Sequence, residues 1–349
     1  MEMAEALHVN PSNLFSHLSG KITSIDSHTA GEPTRLILAG VPALQGESIY
    51  EQMLDFKAKY DNMRTRLTCE PRGHRDMVAA LLTPPASPGA NFGLIYMDAR
   101  RYPLLCGHAT IGAVTTLIET GAIEVHGPGR SILVDTPSGQ VKASVQMEGG
   151  RVKAVTIQLA PSFVYGKQQT LDVPGVGQLV VDTVCVGGFF VMATARQIDI
   201  PLEPAYANRL AEAGMAVIAA ANEQLQVRDP SRPEVSTVDV AEFYELSAQP
   251  GHGKSAVVYG EAHVDRSPCG TGTAAKMALL YQRGELSLNQ PYLNQGILGT
   301  TFLGRLVGKT RVGDLPAVIP EVTGSAYITG IHQFVVDPKD PFADGFLLG

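Results

Sequence analysis

CGHATIGAVTTLIETG at residues 106–121 and CGTGTAAKMALLYQRG at residues 269–284 are two versions of one pattern. In each, a cysteine is followed by Gly, then by an apolar stretch at helical spacing, then by a second Gly 15 residues after the cysteine. A Gly just past the last apolar residue of a periodic run is the expected helix stop. The spacing therefore predicts two helices of about three turns, each with a cysteine at its N-terminus. Both are apolar on most faces, and such a helix belongs in the middle of its domain.

The repetition extends outward. Residues 22–37 (ITSIDSHTAGEPTRLI) and 179–193 (LVVDTVCVGGFFVMA) both read as strands broken at glycine. Gly31 lies 75 residues before Cys106 and Gly187 lies 82 before Cys269. Strand signals follow each helix, at 131–134, 140–146 and 154–159 in the first half and at 300–307, 317–323 and 326–329 in the second. Gly31 and Gly187 are 156 residues apart, and Cys106 and Cys269 are 163 apart. Ordered matches at a nearly constant offset point to duplication. The expected fold is α/β (α+β), two pseudo-symmetric domains with strands wrapped round a central apolar helix. The expected bounds are 20–165, with the C-terminal tail as a candidate completion, and 166–349. Surface helices are predicted at 48–63 and 204–226, loops at 83–91 and 227–234, and a loose extension over the first twenty residues.

Composition agrees with two domains. The chain has 349 residues, 44% hydrophobic and 17% charged, enough for real cores of about 150 to 170 residues each. Lys+Arg total 27 against 34 Asp+Glu, a net charge of −7 with no basic run, so nucleic acid is not an expected partner. No apolar stretch approaches a membrane span. The first residues, MEMAEALHVN, lack a basic n-region and apolar h-region, and a cytoplasmic location is expected.

The four cysteines are Cys69, Cys106, Cys185 and Cys269. They form no Cys-x-x-Cys pair and no zinc-like spacing with histidine, so neither a metal nor a cofactor is expected. Cys69 and Cys185 read as small buried hydrophobes. Cys106 and Cys269 head helices, where unpaired N–H groups and the dipole favour a thiolate and also bind a carboxylate. Two such thiols facing one cleft suit the inversion of a stereocentre beside a carboxylate. One removes the α-proton, the other delivers a proton to the opposite face, and the helix heads hold the developing charge. Asp265, four residues before Cys269, is placed to hold a substrate ammonium, and His108 to anchor the carboxylate or polarise the site. Glu32 and Glu70 are expected to be buried hydrogen-bonders. His28 reads as structural or as lining the cleft, His74 as ordering its loop, and His263 as sharing a strand face with Asp265, with reach to a substrate as its alternative; His8, His17, His126, His252 and His332 carry no signal. The string Gly270-x-Gly272-x-x-Ala275 mimics a dinucleotide fingerprint, but it follows Pro268-Cys269 and no acid sits about 20 residues on. A Cys106–His108 hydrolase would leave the second helix unexplained.

Four motifs together, DSHTAGEPTR (26–35), EPRGHRDM (70–77), CGHATIG (106–112) and DRSPCGTGTAA (265–275), resemble the proline racemase family from about residue 22 to the C-terminus. That family holds proline racemases, 4-hydroxyproline 2-epimerases and trans-3-hydroxy-L-proline dehydratases. The resemblance implies a fold like that of diaminopimelate epimerase and a small-molecule substrate, proline or hydroxyproline. It implies catalytic roles for Cys106 and Cys269, carboxylate-binding backbone groups at Gly107, His108, Gly270 and Thr271, an aspartate near the ring nitrogen at Asp265, and a monomer or homodimer. Dehydratases of the family carry Thr where this chain has Cys269, which points to epimerase or racemase chemistry. Leu105, Ala109 and the apolar VGGFF at 186–190 depart from the usual pattern and bear on the substrate. A trans-3-hydroxy-L-proline dehydratase and a non-catalytic imino-acid-binding protein are the alternatives.

Overall fold

The computed structural model describes residues 18–124 and 131–348. Most of the expected N-terminal extension lies outside them, as do His8, His17 and His126.

Along the chain run β1 (Ser19–Thr29), β2 (Glu32–Ala39), α1 (Ile49–Thr68), β3 (Ala79–Thr83), β4 (Phe92–Met97), α2 (Gly107–Glu119), β5 (Ser131–Thr136), β6 (Gly139–Glu148) and β7 (Arg151–Gln158). Then come β8 (Phe163–Val173), β9 (Gly177–Cys185), β10 (Phe189–Thr194), α3 (Ala207–Gln224), β11 (Val238–Leu246), β12 (His252–Tyr259), the short β13 (His263–Val264), α4 (Gly270–Gln282), β14 (Tyr292–Gln295), β15 (Thr301–Val312), β16 (Leu315–Gly324) and β17 (Ala326–Val336). The strand pairings repeat. The series β17–β1–β2–β3–β4–β5–β6–β7 is antiparallel, antiparallel, parallel, antiparallel, parallel, antiparallel, antiparallel. The series β8–β9–β10–β11–β12–β14–β15–β16 has the same senses in the same order. A β16–β7 pairing joins the two.

One expectation is corrected by this register. The strand signal at 326–329 was grouped with the second half by its position, but β17 hydrogen-bonds to β1 along its length. It is the counterpart of β8, and residues 165 and 166 both lie inside β8.

Alternation of side chains explains the layering. Leu36, Ala80, Leu94 and Tyr96 face α2, whereas their neighbours Ile37, Ala79, Leu81, Ile95 and Met97 pack with Phe56 and Met53 of α1. In the second half Phe190, Met192, Tyr244 and Val257 face α4, and Val191, Ala193, Phe243 and Val258 pack with Leu210 and Val217 of α3. Strands covered on both faces read as continuous apolar runs, as these do. Residues 107–117 of α2 and 270–280 of α4 are all buried, and one apolar cluster takes in both helices. Each central helix ends alike. Gly121 (φ +72°) and Gly284 (φ +76°) adopt the left-handed stop that L side chains resist, donating to Ile118 O (2.9 Å) and Tyr281 O (3.0 Å). The outer helix α1 starts at a Ser48–Glu51 capping box and, past a kink at Tyr60, runs five residues beyond its expected end. No helix among the described residues is long and apolar enough to cross a membrane.

Candidate active site

The two central helices meet head to head. A Cβ built on Gly107 would lie 3.1 Å from Gly270 Cα, and one built on Gly270 would lie 3.2 Å from Gly107 Cα. A Cβ at this distance would press the two backbones apart by a few tenths of an ångström, which favours the glycine that follows each cysteine. The first intrahelical donors are Thr110 N to Cys106 O (3.0 Å) and Thr273 N to Cys269 O (2.8 Å). The N–H groups of residues 107–109 and 270–272 thus have no partner within their helices. Gly272 N donates to Cys269 Sγ at 3.3 Å, whereas the Cys106 side chain accepts no cap hydrogen bond, although the Ala109 N–H lies close enough to favour its thiolate. Of the remaining donors, those on Gly107, His108, Gly270 and Thr271 stand at two abutting dipole ends. All four residues, with Cys106, Cys269 and Asp265, line one cavity of about 430 Å³ between the halves. Val186, Gly187, Gly188, Phe190 and Tyr259 are among its other lining residues.

The thiols are held differently. Cys106 is extended (φ −137°) and partly exposed, with the His108 ring 3.5 Å from its sulfur. Cys269 is 7% exposed and has φ +60°, a left-handed conformation that is strained for a residue with a Cβ. A scaffold imposes it. Ser267 Oγ accepts from Cys269 N (3.0 Å), Asp265 accepts from Ser267 N (2.8 Å) and Oγ (2.7 Å), and Asn294 Nδ2 donates to Pro268 O (3.0 Å). Asp265 therefore shapes the Cys269 turn as well as lining the cavity.

The electrostatics correct one expectation. The helix heads were expected to lower the thiol pKa values. Burial instead pushes both thiols well above the ordinary thiol range, and the Asp265 carboxyl between them adds to the rise. The N–H groups of Ala109 and Gly272 pull the other way, but desolvation of a thiolate in a closed cleft outweighs them. Burial also raises Asp265 to about 6 and lowers His108 to about 4, so the imidazole is neutral at pH 7. Its ring is bonded to the Pro33 carbonyl. His108 accordingly offers the site its backbone N–H rather than a positive charge.

Around the cleft, Glu32 is fully buried as expected. It accepts from Arg266 N (2.6 Å) and lies 2.7 Å from His263 Nε2, and burial lifts it to about 8. His263 is held there against the Tyr259 ring (4.4 Å) and does not line the cavity. Glu70 departs from its expectation. It is partly exposed and pairs through its backbone with Phe346 of the C-terminal tail, a partner too distant in sequence to foresee. His28 stacks on Tyr327 and His74 accepts from Asp76 N, both outside the cavity. Cys69 and Cys185 are buried in the cores. Contacts between the halves were not foreseen. Arg101 stacks on Tyr259 (5.0 Å) and donates to Asp239 O (3.3 Å), Arg100 pairs with Glu261, and Arg232 donates to Ser138 Oγ (3.1 Å). Among the described residues no group of three or more His, Cys, Asp or Glu is placed to hold a metal ion.

Residues 24–347 match the family model described as Proline racemase. The chain is 42% identical over 325 residues to a 4-hydroxyproline 2-epimerase of Streptosporangium roseum, covering 93% of this chain and 98% of that one. It is 40% identical over 331 residues to a proline racemase of Clostridioides difficile, covering 95% and 99%. A solved hydroxyproline epimerase from Agrobacterium vitis, with bound trans-4-hydroxy-L-proline, superposes with a TM-score of 0.89 at 31% identity, covering 95% of this chain and 96% of that one. The duplicated fold, with its cleft between two helix heads, is that of an isomerase of the racemase and epimerase class. The chain belongs to the proline racemase family.

Proposed function

We propose that this protein inverts Cα of a proline-type amino acid, 4-hydroxyproline or proline, by two-thiol acid–base chemistry. The observation that carries the reading is the head-to-head meeting of two cysteine-headed helices at Gly107 and Gly270. The substrate carboxylate accepts from the N–H groups of Gly107, His108, Gly270 and Thr271, and Asp265 faces the ring ammonium. One of Cys106 and Cys269 acts as thiolate and takes the α-proton. The other, as thiol, gives a proton to the opposite face, and the roles exchange for the reverse direction. The charge that spreads into the carboxylate at the transition state meets donors already in position. The raised thiols fit this scheme if the ligand completes the site. The ring ammonium brings in the positive charge the closed cleft lacks and favours a thiolate beside it.

Two relatives named for proline and 4-hydroxyproline support the substrate class. Cys269, where dehydratases of the family have Thr, supports inversion over loss of water. The test is a panel of L-proline, trans-4-hydroxy-L-proline and trans-3-hydroxy-L-proline in deuterated water. Deuterium at Cα with a change of optical rotation for one of the first two is the expected result. Formation of a cyclic imine from the 3-hydroxy compound would assign a dehydratase instead, and binding without exchange would assign a carrier.

A further inference from the structure

The two halves repeat each other in topology but not in what lies beneath the thiols. Seven residues after Cys269 stands Lys276, fully buried, and seven after Cys106 stands Ala113. Lys276 Nζ donates to Lys254 O (3.1 Å), lies 5.6 Å from the Tyr244 ring, and sits 3.7 Å from Glu242 Oε1. Glu242, on β11, is also fully buried, and neither carboxylate oxygen has a hydrogen-bond partner. That carboxylate lies against the first turn of α4. A Cβ on Gly272 would stand 3.0 Å from Glu242 Oε2, whereas the matching position three residues after Cys106 is Ala109. Beneath α2 the counterpart of Glu242 on β3 is Ala80, and its cross-strand partner Tyr96 shares a hydrogen bond with Thr110 (2.7 Å).

A carboxylate held only by a long ion pair is weakly compensated, and in a low-dielectric interior its field reaches far. The Cys269 thiol, capped by Gly272 N at 3.3 Å, belongs to the same first turn that the carboxylate lies against. We propose that Glu242, balanced by Lys276, is a positioning residue that makes the two thiols unequal, holding Cys269 as the acid of the ligand-free enzyme so that Cys106 gives up its proton first. This rests on the two-thiol reading above. The other groups acting on each thiol do not reproduce the asymmetry by design of the fold. Asp265 disfavours both thiolates. Cys106 additionally faces Glu32, Asp98 and the neutral His108, and Cys269 faces the Thr271 hydroxyl at 3.5 Å. Of the remaining acids, Glu242 raises Cys269, whereas Glu32 and Asp98 raise Cys106. Burial holds Glu242 itself near 7 and Lys276 near 8, with Asp265 and Tyr244 as further neighbours, so the effect is strongest above neutral pH.

The experiment measures the iodoacetamide alkylation rate of each cysteine separately, by peptide-resolved mass spectrometry at pH 9, in wild type, Glu242→Gln and the Glu242→Gln/Lys276→Met double variant. Glu242→Gln is expected to speed Cys269 alkylation by about tenfold, as a thiol pKa lowered by about one unit would, and to leave the Cys106 rate in place. An unchanged Cys269 rate in folded Glu242→Gln, or equal acceleration of both cysteines, overturns the proposal. If Glu242→Gln does not fold, the double variant carries the same expectation and the same refutation, because burial lowers Lys276 to about 8 and leaves it largely neutral at pH 9. Unchanged rates in a protein that each alkylation still inactivates would sink this inference and leave the two-thiol reading standing. Changed rates in a protein that turns over after alkylation would sink the two-thiol reading, and the acid and base roles assigned here with it.

Discussion

The head of α2 and the head of α4 share one backbone plan and divide the work. At α2 the thiol is partly open to the cavity, on ordinary extended backbone, with an imidazole alongside. At α4 the thiol is closed in, on left-handed backbone fixed by Asp265, Ser267 and Asn294. The difference teaches that duplication repeated the helix heads and their free N–H groups, while the surroundings of each thiol diverged. Neither half encloses the cavity alone, because Gly107 and His108 line it from one helix and Gly270 and Thr271 from the other.

The largest effect should follow from removing either thiol. Cys106→Ala and Cys269→Ala are each expected to lower kcat by about 10³-fold or more, in line with loss of a positioned acid or base, with circular dichroism unchanged. A variant that keeps wild-type turnover would break the equivalence of the two heads. Next come the glycines. Gly107→Ala or Gly270→Ala forces a Cβ to within 3.2 Å of the opposite backbone and should part the heads. A displacement of this kind costs about 10²-fold in rate and about 1–3 kcal/mol in stability. Gly121→Ala and Gly284→Ala meet no neighbouring atom within 4 Å and differ only in backbone strain. They should cost about 1 kcal/mol and leave kcat unchanged. Equal kinetic effects at heads and stops would remove the distinction.

The smallest effect concerns the buried acid beneath the first head. Burial lifts Glu32 from 4.5 to about 8, so the folded protein keeps a proton that the unfolded chain releases above pH 4.5. Its contribution to stability is present at low pH and is lost as the pH rises towards 8. His263, pushed down to about 4, runs the opposite way between pH 4 and 6.5. Urea midpoints of wild type and Glu32→Gln at pH 5 and pH 8 separate the two. The wild-type advantage should shrink as pH rises, and a constant gap would contradict the assignment.

Much of this was legible because it is local. Apolar period, a cysteine–glycine pair and a stop glycine identify α2 and α4 wherever they fold, and the free N–H groups follow from any helix start. What was not legible depends on distant partners. Glu32 and Glu70 both precede proline in similar motifs. One is enclosed by Arg266 and His263 and the other meets the tail at Phe346, and nothing near either residue distinguishes them. The strand at 326–336 joins β1 because edge pairing is chosen in three dimensions. The thiol pKa reading erred for the same reason. The helix dipole is a local property, while burial is set by the opposite half of the molecule.

The central claim is that both sulfurs face one ligand. Peptide-resolved alkylation of Cys106 and Cys269, with and without saturating L-proline or trans-4-hydroxy-L-proline, tests it most directly. The account predicts that one of these ligands slows modification of both cysteines together. Protection of one cysteine with the other reacting at its free rate would contradict it.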